Sequence, residues 1–208
     1  MACSLQKHLV LGGARSGKSA FAEQLMLTWQ QETAGEVFYI ATSNHRNDSE
    51  MLARVAHHEQ HWPVDWHTIE APLRLAEVLA QLEVNAQTTG DLPSDDLTST
   101  ELRGASELQP GSVATNRAVL IDCLTLWMLN IIEADCRQTA TEQLLAQLSS
   151  AQMPVVMVSN EIGLGVVPMG KLSREFVDEL GRLHQAIAQT CEQVTFVTAG
   201  LPMRLKPA

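Results

Sequence analysis

Gly12-Gly13-Ala14-Arg15-Ser16-Gly17-Lys18-Ser19 fills every fixed position of the pattern G-x-x-x-x-G-K-[ST]. The apolar run Leu9-Val10-Leu11 in front of it reads as a buried strand. Behind it, Phe21, Leu25 and Thr28 share one helical face, and Ala22, Met26 and Trp29 share the next. A strand, a glycine-rich turn and a helix in that order aim successive backbone N–H groups inward. They also add the positive end of the helix dipole, which makes a site for polyphosphate. Gly12, Gly13, Ala14, Arg15, Ser16, Gly17, Lys18 and Ser19 are therefore expected to bind a nucleoside triphosphate. Lys18 is expected to act catalytically on the β- and γ-phosphates, and the Ser19 hydroxyl to ligate Mg²⁺.

The rest of the chain fits one α/β domain over residues 1–208. Its 208 residues are 45% hydrophobic with few aromatics, enough for a sizeable core. A net charge of −10, with only 14 Lys and Arg, argues against nucleic acid as a partner, because no basic face is available to neutralise a phosphate backbone. No stretch approaches the ~18 apolar residues of a membrane span, and the start of the chain lacks the pattern of a secretion signal. Cys3, Cys123, Cys136 and Cys191 have no C-x-x-C spacing, so free thiols and a cytoplasmic location are expected. Cys123 reads as a small buried hydrophobe.

Short β-rich runs alternate with helical patterns. Strands are expected at Leu9–Leu11, Val37–Ala41, Trp66–Ile69, Ala118–Ile121, Val155–Val158 and Val194–Thr198. Helices are expected at about Ser19–Gln31, Asp48–His61, Leu73–Val84, Leu124–Ala134, Thr141–Ser150 and Lys171–Gln189. Regular alternation of this kind predicts a phosphate-loop NTPase fold of the recombinase-like type, a mainly parallel sheet with helices on both faces. Ligands on such sheets sit at the carboxyl ends of the strands. Asn85 to Asn116, rich in Thr, Ser, Gly, Pro and Asp, breaks the alternation and reads as a mobile insertion. Both an active-site lid and a plain surface loop fit it.

Two further positions draw attention. Asp122 ends the apolar strand Ala118-Val119-Leu120-Ile121, where an acid can hold Mg²⁺ opposite Ser19, or can cap the following helix. On the helix expected from Asp48, Met51, Val55, His58 and Trp62 share one face, while Glu50, Arg54, His57 and His61 share a polar one. His58 therefore points toward protein or ligand. A core histidine and a nucleophile attacking a nucleotide phosphorus both fit that position.

At this point the chain resembles the bifunctional adenosylcobinamide kinase / adenosylcobinamide-phosphate guanylyltransferase family of cobalamin biosynthesis, nearly end to end outside the insertion. The resemblance rests on five features: the filling of the phosphate loop; Tyr39-Ile40-Ala41-Thr42-Ser43; Met51-x-x-Arg54-Val55-x-His57-His58; Trp66-x-Thr68-x-Glu70; and Leu120-Ile121-Asp122-Cys123 with Ser159-Asn160-Glu161-Ile162-Gly163 through Pro168. It implies that ATP or GTP phosphorylates adenosylcobinamide. GMP then passes from GTP, through a guanylated His58, to adenosylcobinamide phosphate. It also implies nucleotide contacts at Thr42, Ser43, Asn44, Glu59, Gln60, His61, Trp62, Glu70 and Asp122, with Glu70 reading guanine, and a homo-oligomer, a trimer in the family. Pro168-Met169-Gly170 is less polar than expected before Lys171, so corrinoid-side roles and solvated helix-start charges both remain open for Lys171 and Arg174. Two other readings compete with the bifunctional one: a small-molecule kinase without guanylyl transfer, and a nucleotide-binding assembly subunit.

Overall fold

The computed structural model describes residues 5–43, 66–87, 116–166 and 168–206. The helix expected over Asp48–His61, with His57, His58, Asn44 and the Glu59–Trp62 run, lies outside these residues. So does 88–115, most of the predicted insertion.

Twelve elements are described: β1 Lys7–Gly12, α1 Lys18–Thr33, β2 Glu36–Ala41, β3 His67–Glu70, α2 Leu75–Gln87, β4 Arg117–Asp122, α3 Leu124–Glu133, α4 Arg137–Ser150, β5 Val155–Asn160, α5 Lys171–Thr190, β6 Gln193–Thr198 and β7 Leu201–Lys206. The strands form one sheet in the order β3-β2-β4-β5-β1-β6-β7, parallel throughout except for the antiparallel β6–β7 pair. The central strands β1, β2, β4 and β5 are buried on both sides, as their solidly apolar sequences require. Val10, Tyr39, Leu120 and Val158 face Ala22, Met26 and Trp29 of α1. Leu9, Ile40, Ile121 and Met157 face the other way, onto a core shared with α2, α3, α4 and α5. Period-two alternation thus sorts each strand between two helical layers.

Several boundaries shift from those the sequence suggested. α2 runs through Gln87 and β4 starts at Arg117. Asn116 is anchored too, its carbonyl accepting the Glu36 N–H at 2.8 Å, so both ends of the predicted Asn85–Asn116 insertion belong to the ordered framework. α4 begins at Arg137 rather than Thr141. Its polar first turn has no apolar period and is held by Arg137 pairing with Glu175 and Glu179 of α5. β7 was not anticipated, because all six of its residues are exposed and no core-facing alternation marks it.

The hairpin that carries β7 props up the phosphate loop. Ala199 and Gly200 both take positive φ (51° and 76°), the twist that lets a two-residue turn join antiparallel strands. The Gly200 N–H then donates to Ser16 O at 2.8 Å. Gly17, with φ 93°, packs so close that a Cβ there would lie 3.2 Å from Gly200 Cα. Gly12 is tighter still: a Cβ would meet Val197 O at 2.4 Å and Ser16 Oγ at 2.5 Å. At Gly13 a Cβ would meet nothing within 4 Å among the described residues. Close backbone packing therefore dictates glycine at position 12, whereas the protein's own packing leaves position 13 free.

Two outcomes follow for stability. Gly12→Ala should destabilise the nucleotide-free protein by about 1–3 kcal/mol, the range for overpacking. Gly13→Ala should stay within about 0.5 kcal/mol of the parent; paired denaturation curves check both. The second concerns His8, buried beside Thr195 with Nε2 2.8 Å from its hydroxyl. Burial, with a smaller contribution from Arg204, pushes the His8 imidazole down to about 4. The folded state therefore keeps His8 neutral where the unfolded chain, with a histidine near 6.5, takes up a proton. His8 contributes fully to stability above pH 6.5, and the contribution is lost as pH falls toward 4. His184, also lowered by burial, acts in the same sense. Denaturation of His8→Gln between pH 7 and 4.5 should show a shallower acid-side fall than the parent.

Candidate nucleotide site

The register of the parallel strands assembles the site. Gly12 pairs with Asn160, Asp122 with Val158 and with Ala41, and Ala41 with Glu70. Paired residues on neighbouring strands point to the same side. Val10, Val158, Leu120 and Tyr39 place that side under α1. Gly12, Asn160, Asp122, Ala41 and Glu70 therefore form a row across five strand ends, on the face where α1 begins with Lys18 and Ser19. Asp122 lies two strand spacings from β1, about 10 Å, and Glu70 four, about 19 Å.

The loop itself is preformed. Ser16 N–H closes a turn on Gly13 O at 3.3 Å, and Phe21 N–H reaches Gly17 O at 3.0 Å. Arg15 adopts φ 55° at the exposed tip. Lys18 is largely buried, its ammonium donating to Gly13 O at 3.2 Å. The Ser16 hydroxyl is buried with no partner among the described residues. A buried lysine lying back on its own loop, beside an unsatisfied hydroxyl, is a cradle arranged for an anion that brings acceptors with it.

Asp122 and Ser19 supply one carboxylate and one hydroxyl near that cradle. Among the described residues no group of three His, Cys, Asp or Glu is arranged to hold a metal. A donor set of this kind suits Mg²⁺, which keeps waters and takes its remaining ligands from phosphate oxygens.

Thr42 has another role. It is fully buried. Its hydroxyl donates to Cys123 O at 2.7 Å and accepts from Cys123 N–H at 2.9 Å. Asn130 Nδ2 in turn donates to Thr42 O at 2.7 Å and Pro72 O at 3.0 Å. Thr42 thus fixes the end of β2 against the Asp122 turn. Ser43 is buried next to it. Cys123 is buried as well, and burial, then the Asp122 charge, raises its thiol to about 11, which leaves it an unreactive packing group. Glu70 opens into a cleft at the free edge of the sheet, with Pro72, Leu73, Arg74 and Gln81 in its wall.

Composition and spacing gave no hint of a second polar arrangement. Asn160 N–H donates to Thr125 Oγ1 at 2.7 Å, Thr125 Oγ1 lies 3.1 Å from Ser159 Oγ, and Ser159 Oγ lies 2.7 Å from His184 Nε2. His184 Nδ1 faces Glu161 Oε2 at 3.7 Å, and Glu161 N–H donates to Gly12 O at 2.9 Å. Three elements, β5, α3 and α5, converge here beside the phosphate loop. The one available signal was the Ser159–Pro168 run, quoted for its resemblance and not for any geometry. Arg174 donates to Pro168 O at 3.3 Å and also to Met169 O, so its guanidinium ties the loop before α5 in place. Lys171 is exposed at the start of α5.

Known proteins resemble this chain in sequence along nearly its whole length. The family model described as cobinamide kinase / cobinamide phosphate guanyltransferase matches residues 8–90 and 97–205, and its gap falls inside the predicted insertion. A bifunctional adenosylcobalamin biosynthesis protein CobP of Pseudomonas aeruginosa is 43% identical over 203 residues, covering 96% of this chain and 97% of that one. CobU of Salmonella typhimurium, named likewise, is 32% identical over 214 residues, with 95% and 98% covered. Among solved structures, a KaiC-like protein from Pyrococcus horikoshii aligns over 92% of this chain and 70% of its own, at 13% identity and a TM-score of 0.46. The chain therefore belongs to the cobinamide kinase / cobinamide phosphate guanyltransferase family.

Proposed function

We propose that this chain is a bifunctional enzyme of cobalamin biosynthesis. It phosphorylates adenosylcobinamide with ATP or GTP. It then transfers GMP from GTP, by way of a guanylyl-histidine at His58, to give adenosylcobinamide-GDP and pyrophosphate. The observation that carries this reading is a family match along almost the whole chain, combined with a phosphate cradle and Asp122 on one sheet face.

Both steps are displacements at phosphorus, driven by positioning and charge neutralisation. In the kinase step Lys18 leaves Gly13 O for the β- and γ-phosphates, the loop N–H groups hold the phosphate oxygens, and the substrate hydroxyl attacks in line. Ser19 and Asp122 would hold Mg²⁺, which when bound draws charge from the phosphate oxygens. In the guanylyl step neutral His58 attacks the α-phosphorus and pyrophosphate departs. The row of strand ends supports two placements of nucleotide. One is seated in the cradle at β1. The other extends toward Glu70, about 19 Å across the strands, where a carboxylate suits the guanine N1–H and N2–H edge. A shift between these placements would present γ- and α-phosphorus in turn.

The same reading takes residues 1–208 as one domain and includes Asn44 and Glu59–Trp62 among the nucleotide contacts. It places the enzyme in the cytoplasm as a homo-oligomer, a trimer as in the family. Among the described residues no helix is long and apolar enough to cross a membrane.

Incubation with GTP and Mg²⁺ followed by mass spectrometry should find one GMP on His58. His58→Ala should lose the adduct and GMP transfer while retaining kinase activity on adenosylcobinamide. Equal loss of both activities in a folded His58→Ala protein would make His58 a packing residue and remove the transferase half of the proposal.

A further inference from the structure

Asn160 stands in the row of strand ends between Asp122 and Gly12, on the face that carries the phosphate cradle. Its side-chain Oδ1 is buried and has no hydrogen-bond partner among the described residues. Leaving a buried amide oxygen unpaired costs about 1–3 kcal/mol, so such a group in a folded protein calls for an explanation. Its backbone, by contrast, is tightly held. Asn160 N–H donates to Thr125 Oγ1, Thr125 Oγ1 lies within hydrogen-bond distance of Ser159 Oγ, and Ser159 Oγ within hydrogen-bond distance of His184 Nε2. His184 Nδ1 faces Glu161 Oε2. Burial lowers the His184 pKa, which favours the neutral ring. On its other side Glu161 N–H is bonded to Gly12 O. A chain of hydroxyls and an imidazole therefore fixes the end of β5 against both the phosphate loop and the Asp122 turn, while the carboxamide oxygen it presents has no partner among the described residues.

We propose that Asn160 is a catalytic residue of the phosphoryl-transfer step and that Ser159, Thr125 and His184 are its positioning residues. This rests on the kinase half of the function proposed above. An oxygen lone pair of the substrate hydroxyl forms a bond to the γ-phosphorus. The bond from that phosphorus to the β,γ-bridging oxygen breaks, and its electron pair leaves with the nucleoside diphosphate. Asn160 Oδ1 accepts the hydrogen bond of the attacking hydroxyl and turns its lone pair toward the phosphorus. Nδ2 donates to an oxygen of the phosphoryl group as it transfers. A carboxamide is suited to this pairing because it offers an acceptor and a donor side by side without adding negative charge near a triphosphate. It takes no proton. The hydroxyl proton leaves late, onto an oxygen of the transferred phosphoryl group and from there to water, as a loose transition state allows.

The test compares Asn160→Ala, Asn160→Asp and Ser159→Ala with the parent. It measures adenosylcobinamide phosphorylation, ATP affinity, and GMP labelling of the protein from GTP. Asn160→Ala should lower the kinase kcat by about 100-fold, the scale for losing one transition-state hydrogen bond. ATP affinity and GMP labelling should stay within about threefold, since neither involves the attacking hydroxyl. Asn160→Asp, which keeps the acceptor but replaces the donor with a charge, should not rescue. Ser159→Ala should lower kcat with little change in KM and should add little on top of Asn160→Ala. A kinase kcat in Asn160→Ala within threefold of the parent would overturn the assignment. So would kinase activity, ATP affinity and labelling all falling together in a folded protein, which would make Asn160 a structural or nucleotide-binding residue. A parent protein with no corrinoid kinase activity would instead defeat the functional reading itself, and this assignment with it.

Discussion

A parallel sheet that binds ligand at its carboxyl edge must be held together there by something other than its own ladder. The last N–H and C=O groups of each strand have no next residue to pair with, and the phosphate loop has to keep its N–H groups uncommitted for the ligand. In this protein, side chains do the holding. Thr42 locks β2 to the turn after β4, Asn130 ties that junction to the turn after β3, and Thr125 fixes the end of β5. Gly200 and Glu161 secure the loop from either side through backbone bonds to Ser16 and Gly12. Without these crossties the row from Gly12 to Glu70 would fray, and its side chains would lose their common face.

The crossties also explain why the sheet is asymmetric in chemistry. On the α1 face the strand ends carry glycine, amide and carboxylate. On the opposite face, one residue earlier, β5 carries Ser159, which takes part in a buried polar chain rather than in the site. A one-residue change of register would exchange the two sets, hiding Asp122 and Asn160 in the core and exposing the serine. The solidly apolar strands, buried on both sides, prevent that slip less than alternating ones would. The side-chain bonds at the edge are what specify the register.

Much of this was legible beforehand, where a single short segment carries the physics. The phosphate loop announces itself because glycine spacing, lysine and hydroxyl must all come from eight consecutive residues. Asp122 announces itself because an acid at the end of an apolar strand is locally incongruous. Asn160 did not, since an asparagine after Val-Met-Val-Ser looks like any strand end. Its significance comes from a register with Gly12 and from partners on two helices far away in the chain. β7 stayed hidden for the opposite reason: it buries nothing, and the Ala199-Gly200 turn that creates it is a weak signal. Thr42 shows a third case. The resemblance marked it as a nucleotide contact, and the structure adds a crosstie that no local pattern announced, its hydroxyl both donating to and accepting from the Cys123 backbone.

Connectivity bears on the histidine step as well. β2 ends at Ala41 at the nucleotide edge, and the chain re-enters the described fold at Trp66, at the far end of β3. There Trp66 Nε1 donates to Gln30 of α1 at 3.0 Å. β3 is four residues long, so about 13 Å separates the two edges along it. His58 precedes Trp66 by eight residues, which can span at most about 28 Å when extended. An imidazole at position 58 is therefore within reach of the edge where the phosphates bind, even with Trp66 pinned at the opposite end.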